Sequence, residues 1–182
     1  MPAAASAEKA DRDKPLNIEA DKLLHDELKQ ISVFSGRAVL TKGSMVLRGE
    51  RIEMRQDPDG FQFGVVLPEA NKRAFFRQKR EGLDEYLEGE AQRIDYDGRN
   101  ERIVLSDQAE IRRFRGNTLG DQMSGKRIVY DNLSDVFTID GQPGEKSKPG
   151  DARVRVTLVP RNKPSDVAPD KAVPASEKNI KK

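Results

Sequence analysis

Three stretches of this sequence hold residues whose types and spacing could do chemistry. The first, Gly120-Asp121-Gln122-Met123-Ser124-Gly125-Lys126, has the spacing of a phosphate-cradling loop. Such a loop needs Ser or Thr after its lysine to hold magnesium, and here Arg127 stands there. The segment also lies between two stretches that read as strands, with no helix N-terminus to receive phosphate, so a plain β-hairpin is expected. The second is a carboxylate cluster, Asp84, Glu85, Glu88 and Glu90. Paired carboxylates can exchange protons with a substrate. Glu88 and Glu90, however, alternate with Leu87 and Gly89, which places them on an outward, solvated face. The third is His25, the single histidine, which has no Cys, second His or close carboxylate at ligand spacing. These readings predict no catalytic residue, no metal site, no cofactor and no enzyme activity.

Composition narrows the class. Of 182 residues, 35% are hydrophobic and 35% charged, a lean ratio for a compact globule. It suits an antiparallel β protein in which each strand needs only alternate apolar residues. A net charge of +2 leaves no broad basic field for nucleic acid. The absence of cysteine excludes disulfides and zinc–thiolate sites. No apolar run approaches the roughly 20 residues of a membrane-spanning helix. Met1 to Lys14 lacks the apolar core of a signal peptide and is expected to be a flexible leader, as on a mature secreted chain with an added Met or on a cytosolic one. Residues 161–182, rich in Lys, Pro, Ala and Asp, read as a disordered tail. Its lysines are interspersed with Asp166, Asp170 and Glu177, which favours a solvated segment over a basic arm.

Between these ends, residues 15–160 alternate with a period of two. Leu16 and Ile18 share one face; so do Phe34, Gly36, Ala38 and Leu40, then Ile103, Leu105, Ala109 and Ile111, then Phe137 and Ile139, then Val154, Val156 and Leu158. Turn residues punctuate the pattern at Lys42-Gly43-Ser44, Asp57 to Gly60, Asp97-Gly98, Arg115-Gly116-Asn117 and Gly141 to Gly144. About a dozen short strands follow, with helical turns expected only near Asp21 to Leu28 and Glu81 to Glu85. A repeat is visible as well. Arg51-Ile52-Glu53-Met54 returns as Arg93-Ile94-Asp95-Tyr96 and as Arg127-Ile128-Val129-Tyr130. The later copies are each followed by a polar turn and a second strand. A single hairpin cannot bury its apolar face, so the units are expected to stack side by side into two facing sheets with an apolar seam between them.

At this level the chain resembles the OstA-like family of periplasmic lipopolysaccharide-transport proteins. Lys14-Pro15-Leu16-Asn17-Ile18-Glu19-Ala20-Asp21 is similar to the family's opening strand, and Val33-Phe34-Ser35-Gly36-Arg37-Ala38-Val39-Leu40 to its hallmark strand. Gly49-Glu50-Arg51-Ile52 resembles the strand that follows, and Val154 to Pro160 the closing strand that ends in Val-Pro. The resemblance spans Lys14 to Pro160. It implies an all-β fold, a twisted, slightly open antiparallel β-jellyroll whose interior takes the acyl chains of lipid A. It also implies partners: an inner-membrane-anchored component, an outer-membrane translocon, and further copies of the chain joined end to end in the periplasm.

Physical reasoning points the same way, since each exposed methylene of an acyl chain costs about 0.8 kcal/mol in water. Inward strand positions are the expected lipid contacts: Leu16, Ile18, Phe34, Leu40, Leu47, Ile52, Phe75, Ile94, Tyr96, Leu105, Ile128 and Ile139. Aromatic residues among them could stack on nucleic-acid bases, but a packed groove wall explains them better. The expected interface residues lie on the first and last strands: Leu16, Asn17, Ile18 and Glu19, with Arg153, Val154, Arg155, Val156, Thr157 and Leu158. Two other functions compete. A self-assembling envelope scaffold would share the edges but carry no lipid. A polysaccharide-active enzyme would need convergent carboxylates in a polar cleft, where this sequence offers an apolar stripe.

Overall fold

A computed structural model describes residues 9–80, 83–141 and 153–160. A single turn of helix, α1 (Lys9–Arg12), precedes the strands. They run β1 (Leu16–Glu19), β2 (Lys22–Asp26), β3 (Ile31–Lys42), β4 (Met45–Gln56), β5 (Gln62–Leu67) and β6 (Ala74–Lys79). The second set runs β7 (Glu85–Ala91), β8 (Arg93–Asp97), β9 (Arg102–Arg115), β10 (Thr118–Asp131), β11 (Val136–Asp140) and β12 (Arg155–Thr157). All pairings are antiparallel.

The four long strands β3, β4, β9 and β10 each serve two layers. In β4, for example, Arg51 to Gln56 pair with β5 and Val46 to Arg48 with β6. One layer therefore runs β2-β3-β4-β5-β8-β9-β10-β11, and the other β1-β3-β4-β6-β7-β9-β10-β12. They face one another, as the contact between the Phe76 and Tyr130 rings shows, with centroids 6.3 Å apart. Between them Leu40, Leu47, Ile52, Val66, Phe76, Ile94, Leu105, Ile111 and Ile128 are fully buried. The all-β architecture expected from alternation, with the jellyroll arrangement that the family resemblance implies, is the observed one.

Strands change layer at left-handed bends. In β3 the register to β4 slips between Ser35 and Ala38, where Gly36 and Arg37 have φ of 83° and 47°. In β9 the slip falls at Asp107 and Gln108, with φ of 61° and 53°. A Cβ on Gly36 would stand 2.5 Å from Asp21 Oδ2 in a conformation L-residues disfavour. Gly36→Ala is therefore expected to cost about 1–2 kcal/mol from backbone strain, read as a lowered midpoint in urea unfolding with unchanged slope.

Several expectations need correction. The segment from Asp21 to Leu28 forms β2 and a turn instead of a helix, since Leu23 and His25 pair with Phe34 and Ser32. Glu85 opens β7, and residues 81–82 lie outside the described residues. The phosphate-loop spacing at Gly120 to Lys126 lies wholly within β10. The end of the leader is held in place: Asp11 accepts hydrogen bonds from Ser44 N at 2.9 Å and Ser44 Oγ at 2.5 Å. The turn residues from Gln142 to Gly144, the tail 161–182 and the first eight residues fall outside the described residues.

Candidate functional site

Alternation aims one side of every strand into the space between the layers. Leu40, Leu47, Ile52, Ile94, Leu105 and Ile128 are all 0% exposed there, and Tyr96 is 4% exposed. The middle of the seam is thus a closed core. Leu16, Ile18, Phe34 and Ile139 pack against that core but are only half-buried, because they lie at its two ends. Phe75 is the one expected contact on the wrong face. Phe76 fills the core at 0% exposure, while Phe75 lies outside with the Arg48 guanidinium 4.9 Å from its ring centroid. Two adjacent phenylalanines suit alternation in either parity, and Ala74 and Ala91 at the start of the β6–β7 pair settle which is inward.

The seam opens at the β1 end into a cavity of about 250 Å³. Its floor is apolar: Leu16 and Ile18 from β1, Phe34 from β3 and Met54 from β4. Its rim is polar: His25, Gln30, Ser32, Arg55, Gln56 and Gln62. Met54 and the rim residues were not anticipated from sequence, although Met54 ends the first copy of the repeat. A tail in contact with the floor would leave a polar head beside the rim.

His25 has partners that its sequence neighbourhood does not reveal. Its Nδ1 lies 2.9 Å from Ser32 Oγ, and its Nε2 lies 2.7 Å from Glu27 Oε2. The connectivity is that of a serine–histidine–carboxylate relay. Such relays depend on a buried acid to hold the imidazole. Here the Glu27 side chain is 81% exposed and that of His25 42%, so water competes for both bonds. The arrangement fits a solvated hairpin. The acidic cluster is likewise spent on structure: Glu88 meets Arg77 at 3.3 Å, Glu90 meets Arg73 at 2.6 Å, and Glu85 meets Arg80 at 2.5 Å and Arg115 at 3.1 Å. Burial raises the Glu85 carboxyl pKa, but hydrogen bonds from Arg115 and Arg80 outweigh it and hold the group below its ordinary range. No group of His, Cys, Asp and Glu suited to a metal ion occurs among the described residues.

Where the turns of the two layers meet, polar links close the seam. Lys42 at the end of β3 donates to Tyr96 Oη at 3.0 Å and to Glu101 Oε1 at 3.2 Å. Arg80, just after β6, pairs with Asp135 in the β10–β11 turn, and Tyr130 Oη donates to Asp135 Oδ1 at 3.2 Å. The Lys42 and Arg80 links tie one layer to the other, and the Tyr130 bond holds Asp135 in place within its own layer.

Fold and seam together define an antiparallel β-jellyroll with an apolar interior that opens at its end strands. The family described as LptA/(LptD N-terminal domain) LPS transport protein matches residues 17–136, and the chain belongs to that family. Lipopolysaccharide export system protein LptH of Pseudomonas aeruginosa is 28% identical over 154 residues, covering 85% of this chain and 84% of that protein. Lipopolysaccharide export system protein LptA of Escherichia coli strain K12 is 26% identical over 156 residues, 86% of this chain and 77% of its own length. The crystal structure of LptH, the LptA homologous periplasmic component of the lipopolysaccharide transport device of P. aeruginosa, superposes with a TM-score of 0.70 at 24% identity. That match covers 83% of this chain and 99% of the other, and it supports the fold.

Proposed function

We propose that this chain is a periplasmic lipopolysaccharide carrier that works as a bridge and not as an enzyme. The acyl chains of lipid A are held in the inter-layer seam, and copies pass them from an inner-membrane export complex toward an outer-membrane translocon. The observation that carries this reading is the mouth at the β1 end, where Leu16, Ile18 and Phe34 form an apolar floor under a polar rim. About 250 Å³ falls short of the ~300–1,000 Å³ typical of small-ligand pockets. The closed middle of the seam must therefore part as acyl chains advance, with loading starting at the mouth.

Affinity purification from a lipopolysaccharide-producing cell, followed by mass spectrometry, is expected to recover lipid A species. A photo-crosslinker at Ile18 or Phe34 is expected to capture lipopolysaccharide several-fold better than one at Arg37 or Asp95, which face outward. Crosslinking at Ile94 is expected to be weaker than at Phe34, because Ile94 is reached only when the layers part. Equal capture at inward and outward positions, with no lipid recovered, would instead favour an envelope scaffold joined through its edges.

A further inference from the structure

The twelve strands are one six-strand unit used twice: β1 and β2 pair with the late and early halves of β3, as β7 and β8 do with β9. In both units the strands pass from layer to layer along one side of the molecule. The bends at Gly36 and Arg37 and at Asp107 and Gln108 lie on that side. So do the hydrogen bonds from Asp21 N to Gly36 O at 3.0 Å and from Gln92 N to Asp107 O at 2.9 Å. Continuous chain makes that side a spine. The opposite side is built from hairpin turns, and its two rims are separate. The β3–β4 turn, Arg80 and the β9–β10 turn form the rim of the layer that holds β6 and β7, the second layer. The β8–β9 and β10–β11 turns belong to the rim of the first layer.

Across this open side the charges are sorted by layer. Lys42 and Arg80 stand on the second-layer rim, and their partners Glu101 and Asp135 stand on the first. Among the described residues these two ion pairs are the ones that join rim to rim. Arg99 and Arg102 on the first rim pair within their own layer, with Asp57, Asp59 and Asp131. Arg113 and Arg115 lie beside Arg80, at the rim end of β9. They approach the Glu85 carboxylate that Arg80 also holds, at 4.0 and 3.1 Å, and Arg113 meets Asp121 at 3.0 Å. Even so, Arg113 Nε and Arg115 Nη2 are buried donors that reach no hydrogen-bond acceptor. Folded proteins seldom leave such groups uncompensated. Lys42, Arg80 and Arg115 follow the strand order β3, β6, β9, so each stands two strands, roughly 10 Å, from the next. A row of cations therefore runs along the seam.

We propose that the two ion pairs are latches that the carried lipid opens by charge exchange: its phosphate groups take Lys42 and Arg80 from Glu101 and Asp135. The proposal rests on the carrier reading above. An acyl chain that enters beside Leu16 brings its head group to Lys42 first, because Lys42 is the residue opposite Leu16 in the β1–β3 pair. A phosphate monoester carries about two negative charges and several acceptor oxygens. It holds a lysine or an arginine at least as well as a carboxylate does. The cations thus stay paired while the layers part, where simple separation would strand them beside an apolar seam. The carboxylates leave with the first layer and face water. At Arg80 the phosphate also comes within reach of Arg113 Nε and Arg115 Nη2, which then gain an acceptor. The spine holds the layers together throughout, and each latch closes again once the head group has moved on.

Binding of lipid A to the full chain, measured beside lipid A stripped of its phosphates by phosphatase, tests the exchange. The unaltered chain should bind the phosphorylated form roughly tenfold or more tighter. Replacing both latches by apolar pairs, Lys42→Met with Glu101→Leu and Arg80→Met with Asp135→Leu, keeps the layers closed without charge. That variant should bind the two lipids within about twofold of each other. Asp135→Asn loosens a latch and leaves its cation, so it should bind both lipids several-fold tighter and keep the preference for phosphate. The chain has no cysteine, so spin labels can be placed at Lys79→Cys and Asn100→Cys, exposed positions on the two rims. Their separation should grow when phosphorylated lipid A binds and stay fixed with inorganic phosphate alone, which brings no acyl chain between the layers. A phosphate preference that survives in the apolar variant, an Asp135→Asn chain that binds no tighter, or rims that stay together around bound lipid would overturn the proposal. If the unaltered chain binds neither lipid, the carrier reading itself falls.

Discussion

Glu101→Gln is expected to destabilise the fold by about 3–5 kcal/mol, the usual penalty for leaving one member of a buried ion pair without its partner. The side chains of Lys42 and Glu101 are 11% and 9% exposed, and they lie where the β3–β4 turn of one layer meets the β8–β9 turn of the other. In a domain of this size the loss corresponds to a melting midpoint lower by on the order of 10 °C. The double replacement Lys42→Met with Glu101→Leu should recover most of it, because no isolated charge then remains between the layers. Equal stability of the single and double variants would show that the link does not hold the layers together.

The same group predicts alkaline sensitivity. Burial lowers the Lys42 pKa, but the Tyr96 hydroxyl and the Glu101 carboxylate outweigh it, and the net direction is upward from 10.5. Burial is the main cause that raises Tyr96 from 10.0. Both groups hold their protons more tightly in the folded chain than in the unfolded one. Their contribution is complete below the unfolded values, about pH 10, and is lost as pH rises through the folded values. Unfolding midpoints measured from pH 8 to 11 should fall at the upper end, and Tyr96→Phe should flatten the fall.

Much of the architecture was legible because period-two alternation and turn residues are local signals. Ile52, Ile94 and Ile128 repeat in sequence, and they repeat in space as fully buried residues of one layer. Strand pairing across the two units was not legible. Nothing within the span from Val66 to Ile94 says that β5 passes β6 and β7 to reach β8. The left-handed pair at Gly36 and Arg37 has a glycine to announce it, but the equivalent Asp107 and Gln108 do not, and so the second bend is hidden. The polar links between layers were invisible for a similar reason. Lys42 and Glu101 are far apart in sequence, and each reads as a solvated turn residue until the layers face each other. Adjacent Phe75 and Phe76 show the limit of alternation: it identifies a strand well and its parity poorly when both candidates are apolar.

Deleting residues 152–182 is expected to abolish chain growth while leaving a folded monomer that still binds lipid. The truncation removes β12, which pairs with β10 through only Gln122, Met123 and Ser124. It also removes the hydrogen bond from Val159 N to Asp121 Oδ1 at 3.0 Å. Among the described residues none of the fully buried side chains lies in that segment, so the hydrophobic loss there is small. What is lost is the outer edge of the second layer among the described residues, where β12 pairs with β10 alone, together with the exposed Val154, Val156 and Leu158. The first layer still ends on β11, but half a junction leaves Leu16 and Ile18 of the next copy uncovered. Association that depends on both layers should then weaken at least ~100-fold, since two linked contacts gain far more than either alone. Light scattering should show mass that rises with concentration for the full chain and stays at the monomer value for the truncated one. Lipid capture at Phe34 should persist in the truncated chain, because the mouth lies at the opposite end of the seam. A truncated chain that grows as before would place the joint elsewhere, and one that loses lipid binding while remaining folded would mean that lipid is held across the junction and not within a single copy.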